Sequence, residues 1–198
     1  MDDFTAEIPR GEQCHEGPTP SAELCVTMQA ITKGFPGVRA LDKVDLQLRK
    51  GEIMGLVGEN GAGKSTLMKV LSGAYIKDSG SIYFNGREVN LEKPVDALKL
   101  GIHVIYQEPD LVPVLTVKEN VFLGHAINRF GILSLTEMKK RTGNILNDLG
   151  FDIDPDINLE KLSVAQQQIV AIAKALSEEV HVLVLDEPAA VLPDRPRH

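Results

Sequence analysis

From Leu24 onward, apolar and polar positions fall into short regular patterns; the stretch before it has none. Residues 1–23 carry Pro9, Gly11, Gly17, Pro18 and Pro20 with little periodicity and read as a mobile tail. Leu24, Val26 and Met28 recur at every second position, as do Val44, Leu46 and Leu48, the spacing of half-buried strands. The apolar run Ile53, Met54, Gly55, Leu56 and Val57 predicts another strand, and Leu67 to Leu71 a helix. Residues 81–86 read as a strand running into a turn, and 102–106 as a buried strand. Between about Glu108 and Glu160 the pattern becomes helical. Thr116 with Glu119 forms a capping box, and Glu137 to Leu149 has the apolar spacing of a second helix. Ser163 and Gln166 form another capping box before an amphipathic run from Ile169 to Leu176. The last run, Val182, Leu183, Val184 and Leu185, is continuous, as in a strand covered on both faces. Helices alternating with such strands predict an α/β fold with a parallel core.

Composition narrows this only slightly. The 198 residues suffice for one domain with a real core, burying about 70% of the unfolded surface. A net charge of −7 argues against a nucleic-acid partner. Cys14 and Cys25 are too few for a disulfide scaffold and lack metal-ligand spacing, which fits a reducing compartment. No apolar run approaches the ~20 residues that span a bilayer, and the acidic start Met1-Asp2-Asp3 is no signal peptide.

The chemistry is concentrated between the predicted strand at 53–57 and the helix after it. Gly58, Glu59, Asn60, Gly61, Ala62, Gly63, Lys64, Ser65 and Thr66 satisfy the G-x-x-x-x-G-K-[ST] pattern in its required setting of strand, loop and helix. Without Cβ atoms, Gly58, Gly61 and Gly63 let the backbone fold tightly and aim N–H groups at an anion. The following helix adds its positive end. Lys64 supplies a point charge for the β- and γ-phosphates, and Ser65 a hydroxyl for Mg²⁺. A chance match of this pattern occurs in about one per hundred chains of this length. Nucleoside triphosphate binding follows. Asp186-Glu187 ends the last buried strand, where open α/β sheets carry ligand chemistry. Asp186 suits the Mg²⁺ site, and Glu187 the orientation of an attacking water. Ser163 serves either as a plain helix cap or as a phosphate contact.

Taken together, the phosphate loop, Gln107 after a buried strand, the segment 162–168 and the segment 182–188 resemble the ATP-binding cassette family. The match runs from Leu24 to about Leu192. The resemblance implies a P-loop NTPase fold: a RecA-like core with a parallel sheet (24–107 and 166–198) and an inserted helical subdomain (108–165). It is closest to the ATP-binding subunit of bacterial carbohydrate importers of the ribose, galactose and xylose class, carried by residues 33–41, 58–66 and Gln166-Gln167-Gln168. Phe35 would stack on adenine, with Val38 lining the same pocket. Lys64, Ser65 and Thr66 would hold the phosphates and Mg²⁺. Gln107 would sense the γ-phosphate and metal, making it, with Lys64 and Glu187, part of the catalytic set. Leu162, Ser163, Val164, Ala165 and Gln166 would form the signature that contacts ATP on the opposite cassette of a head-to-tail pair. Residues 108–124 would form much of a groove for a helix of the membrane subunit. The implied cofactors are ATP and Mg²⁺. The implied partners are membrane permease subunits, a second cassette and, indirectly, a sugar-binding protein, at the cytoplasmic face of the inner membrane.

The pattern stops just after Pro188. A complete cassette continues with a helix, another core strand and a histidine at that strand's end; here two prolines, Pro193 and Pro196, fall where a helix should run, each costing ~3 kcal/mol in a helix interior. Ala189 replaces a common threonine, and Val164-Ala165 replace common glycines. The absent strand would lie between the phosphate-loop strand and the strand bearing Asp186, leaving a sheet edge unpaired. This reads as a cassette incomplete at its C-terminus, a truncated or frameshifted reading frame. The runner-up is a fragment that binds nucleotide without hydrolysing it. A soluble cassette protein of DNA repair or translation is a distant third.

Overall fold

Two long strands open the described chain. The computed structural model describes residues 23–106, 110–129 and 132–186. β1 (Leu24–Phe35) and β2 (Val38–Arg49) pair antiparallel, with Phe35 opposite Val38 across the tight turn at Pro36 and Gly37. Bulges break the register four times along the pair, and at one of them Ala30 donates its N–H to the Asp45 carboxylate at 2.6 Å. Such bulges bend and twist a long ribbon around its core. After α1 (Lys64–Leu71), β3 (Ser79–Phe84) pairs with β1, and β4 (Arg87–Val89) with β3, giving the order β2-β1-β3-β4. The alternation read in the sequence now has a cause. Val26, Met28, Ile82 and Phe84 point to one face, where they pack with Leu67, Val70 and Leu71 of α1. α2 (Pro94–Lys99) and β5 (Ile102–Ile105) complete that cluster with Ala97 and Ile102.

The second half is helical. α3 (Val117–Val121) opens on the capping box of Thr116 and Glu119, as the sequence predicts. A short ribbon of β6 (Asn128–Arg129) and β7 (Ile132–Leu133) leads into α4 (Leu135–Asp148). α5 (Val164–Leu176) follows, and β8 (Val182–Leu185) ends the described chain. Val117, Val121, Met138, Leu146, Ile169 and Val170 fill one core between the three helices. The opposite side of α5 presents Ala171 and Ala175 to Ile105, side chains small enough to let the helix lie close to β5. β5 and β8 pair in parallel, Ile102 opposite Val182 and Ile105 opposite Leu185. These strands and helices form a mixed α/β fold with a parallel sheet, as expected; the four-stranded antiparallel sheet was not read from the sequence.

One sequence prediction fails. Residues 53–57 form no strand, and every residue from 51 to 62 is exposed. Ile53 is 100% and Val57 95% exposed. An apolar run is buried in a parallel sheet only when strands flank it and helices cover it. Among the described residues no strand pairs with this one. Leu185 is 41% exposed, so among the described residues β8 is not buried along its whole length.

Candidate nucleotide-binding site

The phosphate loop is a cradle whose shape depends on one glycine. Gly63 caps α1 in the left-handed region at φ 89°. A Cβ there would lie 2.5 Å from the Ala40 carbonyl oxygen and 2.9 Å from a Leu41 methyl, so only glycine fits. The loop turns where Ala62 N–H donates to the Glu59 carbonyl at 3.1 Å. Lys64 folds back over it, its Nζ donating to the carbonyls of Gly58 at 2.7 Å and Glu59 at 2.9 Å. The ammonium thus sits on the loop, at the head of α1, where a phosphate oxygen would replace a carbonyl as its acceptor.

Across from it stands the end of β8. Ser65 Oγ donates to Asp186 Oδ1 at 3.2 Å, joining residues 121 positions apart. Parallel pairing holds the carboxylate there, and Asp186 N–H donates to the Ile105 carbonyl at 3.0 Å. A hydroxyl facing one carboxylate is an oxygen donor pair suited to a hard divalent cation. Among the described residues no group of three acidic, histidine or cysteine side chains could hold a metal alone. The pair fits Mg²⁺ that draws its remaining ligands from phosphates and water.

The two residues expected to receive the base lie at the tip of the β1–β2 ribbon. Phe35 is 39% and Val38 64% exposed, so both are accessible. Phe35 meets Tyr75 edge-to-face, with centroids 5.3 Å apart at 70°. Lys33 Nζ lies 5.7 Å from the Phe35 ring and Lys69 Nζ 5.3 Å from the Tyr75 ring. Asp78 secures the ribbon's neck, accepting from Lys33 Nζ at 2.8 Å and Gly34 N–H at 2.7 Å. The Lys33 ammonium, and next the Gly34 amide, hold the Asp78 carboxyl below its ordinary value. Sequence reading missed Tyr75 and Asp78. The only signal was an aromatic residue and an acid in the turn after α1.

Ser163 is the N-cap of α5. Its Oγ accepts from Gln166 N–H at 3.3 Å, and its own N–H donates to Gln166 Oε1 at 3.0 Å. Both capping functions are therefore occupied within the turn. Ser163 is exposed, as is Val164 at 74%, while Leu162 is buried, Ala165 and Gln166 are half-buried, and Gln167 Nε2 donates to the Leu162 carbonyl at 3.1 Å. Gln107 and Glu187 lie outside the described residues. The described neighbours of Gln107 border a cavity of about 470 Å³ between β5 and the helical half, lined by His103, Tyr106, Asp110, Leu111, Leu123 and His125 among others.

The family model for ABC transporters matches residues 41–190, which contain both the cradle and Asp186. This chain belongs to the ABC transporter family. It is 50% identical over 168 residues to the ribose import ATP-binding protein RbsA 1 of Rubrobacter xylanophilus, covering 85% of this chain and 34% of that protein. It is 48% identical over 164 residues to the galactofuranose transporter ATP-binding protein YtfR of Escherichia coli, covering 83% and 33%. The chain thus spans about a third of the length of the curated relatives it matches. Among solved structures it resembles a nucleotide-free cassette of an ABC transporter, with TM-score 0.72 at 28% identity over 86% of this chain and 72% of that one. It also resembles a dimeric post-hydrolysis cassette bound to ADP and Pi, with TM-score 0.71 at 27% identity over 85% and 76%.

Proposed function

We propose that this chain is the ATP-binding part of a bacterial sugar importer, which couples ATP binding and hydrolysis to carbohydrate uptake through membrane permease subunits. The observation that carries the reading is the facing of the Gly63–Lys64 cradle and Asp186, joined through Ser65 at 3.2 Å. Loop amides from 58–63, with Lys64, Ser65 and Thr66, bind the phosphates. Ser65 and Asp186, with Gln107, would hold Mg²⁺, which when bound would supply charge neutralisation at the β- and γ-phosphate oxygens. Lys64 moves from the loop carbonyls to those oxygens, Glu187 orients the attacking water, and Phe35 with Val38 receives the base. The turn 162–166, exposed at Ser163 and Val164, contacts ATP held by a second cassette, an arrangement supported by the dimeric state of the relative bound to ADP and Pi.

The two packed cores support a division into a nucleotide-binding core (24–107 and 166–198) and a helical subdomain (108–165), with α5 contributing to both sides. The cavity between them is the proposed receiver for a permease helix. Among the described residues no helix is long and apolar enough to cross a membrane. A peripheral place on the cytoplasmic face of the inner membrane, with a sugar-binding protein on the far side, follows from the importer reading.

The test is a thermal melt of the 198-residue chain with and without Mg²⁺·ATP. A ligand at 100 times its Kd adds about 2.7 kcal/mol, so the transition should rise, and Lys64→Ala should cut that gain to about 0.4–1.4 kcal/mol. No shift in the unmodified chain would refute nucleotide binding. A second reading, binding without hydrolysis, is favoured by the exposure of residues 53–57. A cradle hung from an unpaired segment is poorly preorganised, and electrostatic catalysis depends on preorganisation. A ligand shift without phosphate release, also after adding a partner cassette, would favour that reading.

A further inference from the structure

Tyr75 and Asp78 lie on one side of the site and serve neither phosphate nor metal. The base platform, Phe35, stands at a hairpin tip, and such tips are mobile unless tied down. Here two ties run from the tip to the same short loop after α1. Asp78 grips the neck through Lys33 Nζ and Gly34 N–H, and its own N–H donates to the Thr32 carbonyl at 2.9 Å. Tyr75 meets the Phe35 ring itself, 5.3 Å away and edge-to-face. The Tyr75 N–H donates in turn to the Lys69 carbonyl in the last turn of α1 at 2.9 Å, and the ring also packs against the main core. α1 begins at Lys64 on the phosphate cradle and runs 8 residues, about 12 Å. The base platform and the phosphate cradle are therefore mounted on opposite ends of one helix.

We propose that Tyr75 is a positioning residue that fixes the Phe35 ring relative to the phosphate cradle through α1, so that adenine stacking and phosphate binding are satisfied together. The proposal rests on the assignment of Phe35 to the base made above. An edge-to-face pair needs the ring and not the phenol, so phenylalanine at this position preserves the contact whereas an aliphatic side chain does not. The Asp78 clamp holds the neck in either case, so loss of the Tyr75 ring frees the Phe35 side chain without unzipping the ribbon.

The experiment titrates the 198-residue chain by calorimetry with Mg²⁺·ATP and, separately, with inorganic tripolyphosphate and Mg²⁺, which carries the phosphates and no base. Tyr75→Leu and Phe35→Ala are each expected to weaken ATP binding about 3- to 10-fold, the range of an aromatic pair, and to leave tripolyphosphate within twofold. Tyr75→Phe is expected to bind ATP as the unmodified chain does. The double variant Phe35→Ala/Tyr75→Leu should be no weaker than Phe35→Ala alone, because Tyr75 acts only through that ring. If Phe35→Ala weakens ATP and Tyr75→Leu does not, the positioning role is wrong and the base assignment stands. If neither changes ATP binding, both fall. Equal loss of ATP and tripolyphosphate in Tyr75→Leu would also overturn the proposal, since the ring would then support the loop as a whole.

Discussion

Lys64 and Asp186 do different work, and single substitutions separate it. Lys64 is charged and lies on the loop, held by two carbonyls at 2.7 and 2.9 Å. Hydrogen bonds to a charged group contribute about 1.5–3 kcal/mol, so Lys64→Ala is expected to weaken ATP binding roughly 10- to 100-fold with or without Mg²⁺. Among the described residues, Asp186 is hydrogen-bonded to the cradle through Ser65. Asp186→Asn should therefore remove most of the gain that Mg²⁺ gives to ATP binding while leaving metal-free ATP binding within about threefold. Titrations in Mg²⁺ and in EDTA decide the matter; an unchanged Mg²⁺ gain would take Asp186 out of the metal site. The cradle was readable in the sequence because its chemistry is contiguous, nine residues in a row. The Ser65–Asp186 contact was foreseen only as a shared role, since nothing local brings together residues 121 positions apart. Tyr75 was not foreseen at all, because an edge-to-face contact with Phe35 leaves no periodicity in either segment.

At the scale of elements, the helical half depends on polar side chains that bond to the backbone. Asn120 is fully buried; its Oδ1 accepts from Val112 N–H at 2.7 Å, and its Nδ2 donates to Val112 O, Leu115 O and Thr116 O within 3.3 Å. Asn120→Leu would leave the Val112 N–H without its acceptor, while the Val112, Leu115 and Thr116 carbonyls keep the N–H groups of Leu115, Leu159 and Asn120. The expected cost is about 1–3 kcal/mol, measured by urea denaturation with an unchanged m-value. One residue earlier, the capping box holds Glu119. Its Oε2 accepts from Thr116 Oγ1 at 2.5 Å and Thr116 N–H at 2.8 Å, and those bonds, the hydroxyl first, hold its carboxyl below the ordinary value. Asp156 is lowered likewise by Lys118 and then Lys139, which both reach it. A folded value below the unfolded one means stability that is present above the unfolded pKa, about 4, and is lost as pH falls through the folded value. The melting temperature should fall as the pH drops below about 4, and Glu119→Gln should be less stable than the unmodified chain at pH 7 yet approach it in acid once Glu119 is protonated. Parallel curves for the two proteins would remove Glu119 from the acid response. Capping boxes at Thr116 and Ser163 were legible because they are three-residue signals. Asn120 was not, because an asparagine inside an apolar helix looks the same whether it faces solvent or a loop.

At the scale of the whole molecule, the one failed element is the informative one. Residues 53–57 have the composition of a central parallel strand and no partner among the described residues. Composition reports what a segment can do in a sheet; whether neighbours flank it is a property of topology, which no five-residue window contains. The same logic explains why strand identity was legible in β1, β2 and β3 while their antiparallel order was not. The exposure makes a sharp prediction. Ile53 and Val57 are 100% and 95% exposed, so replacing both by lysine should change stability by less than about 0.5 kcal/mol and reduce binding of a hydrophobic dye. Met28, by contrast, is a fully buried residue of β1, and Met28→Ala should cost about 2–5 kcal/mol. If the lysine pair destabilises as much as Met28→Ala, residues 53–57 are packed in solution and the cradle hangs from a formed strand. Hydrolysis by the chain would then regain the preorganised site that it needs.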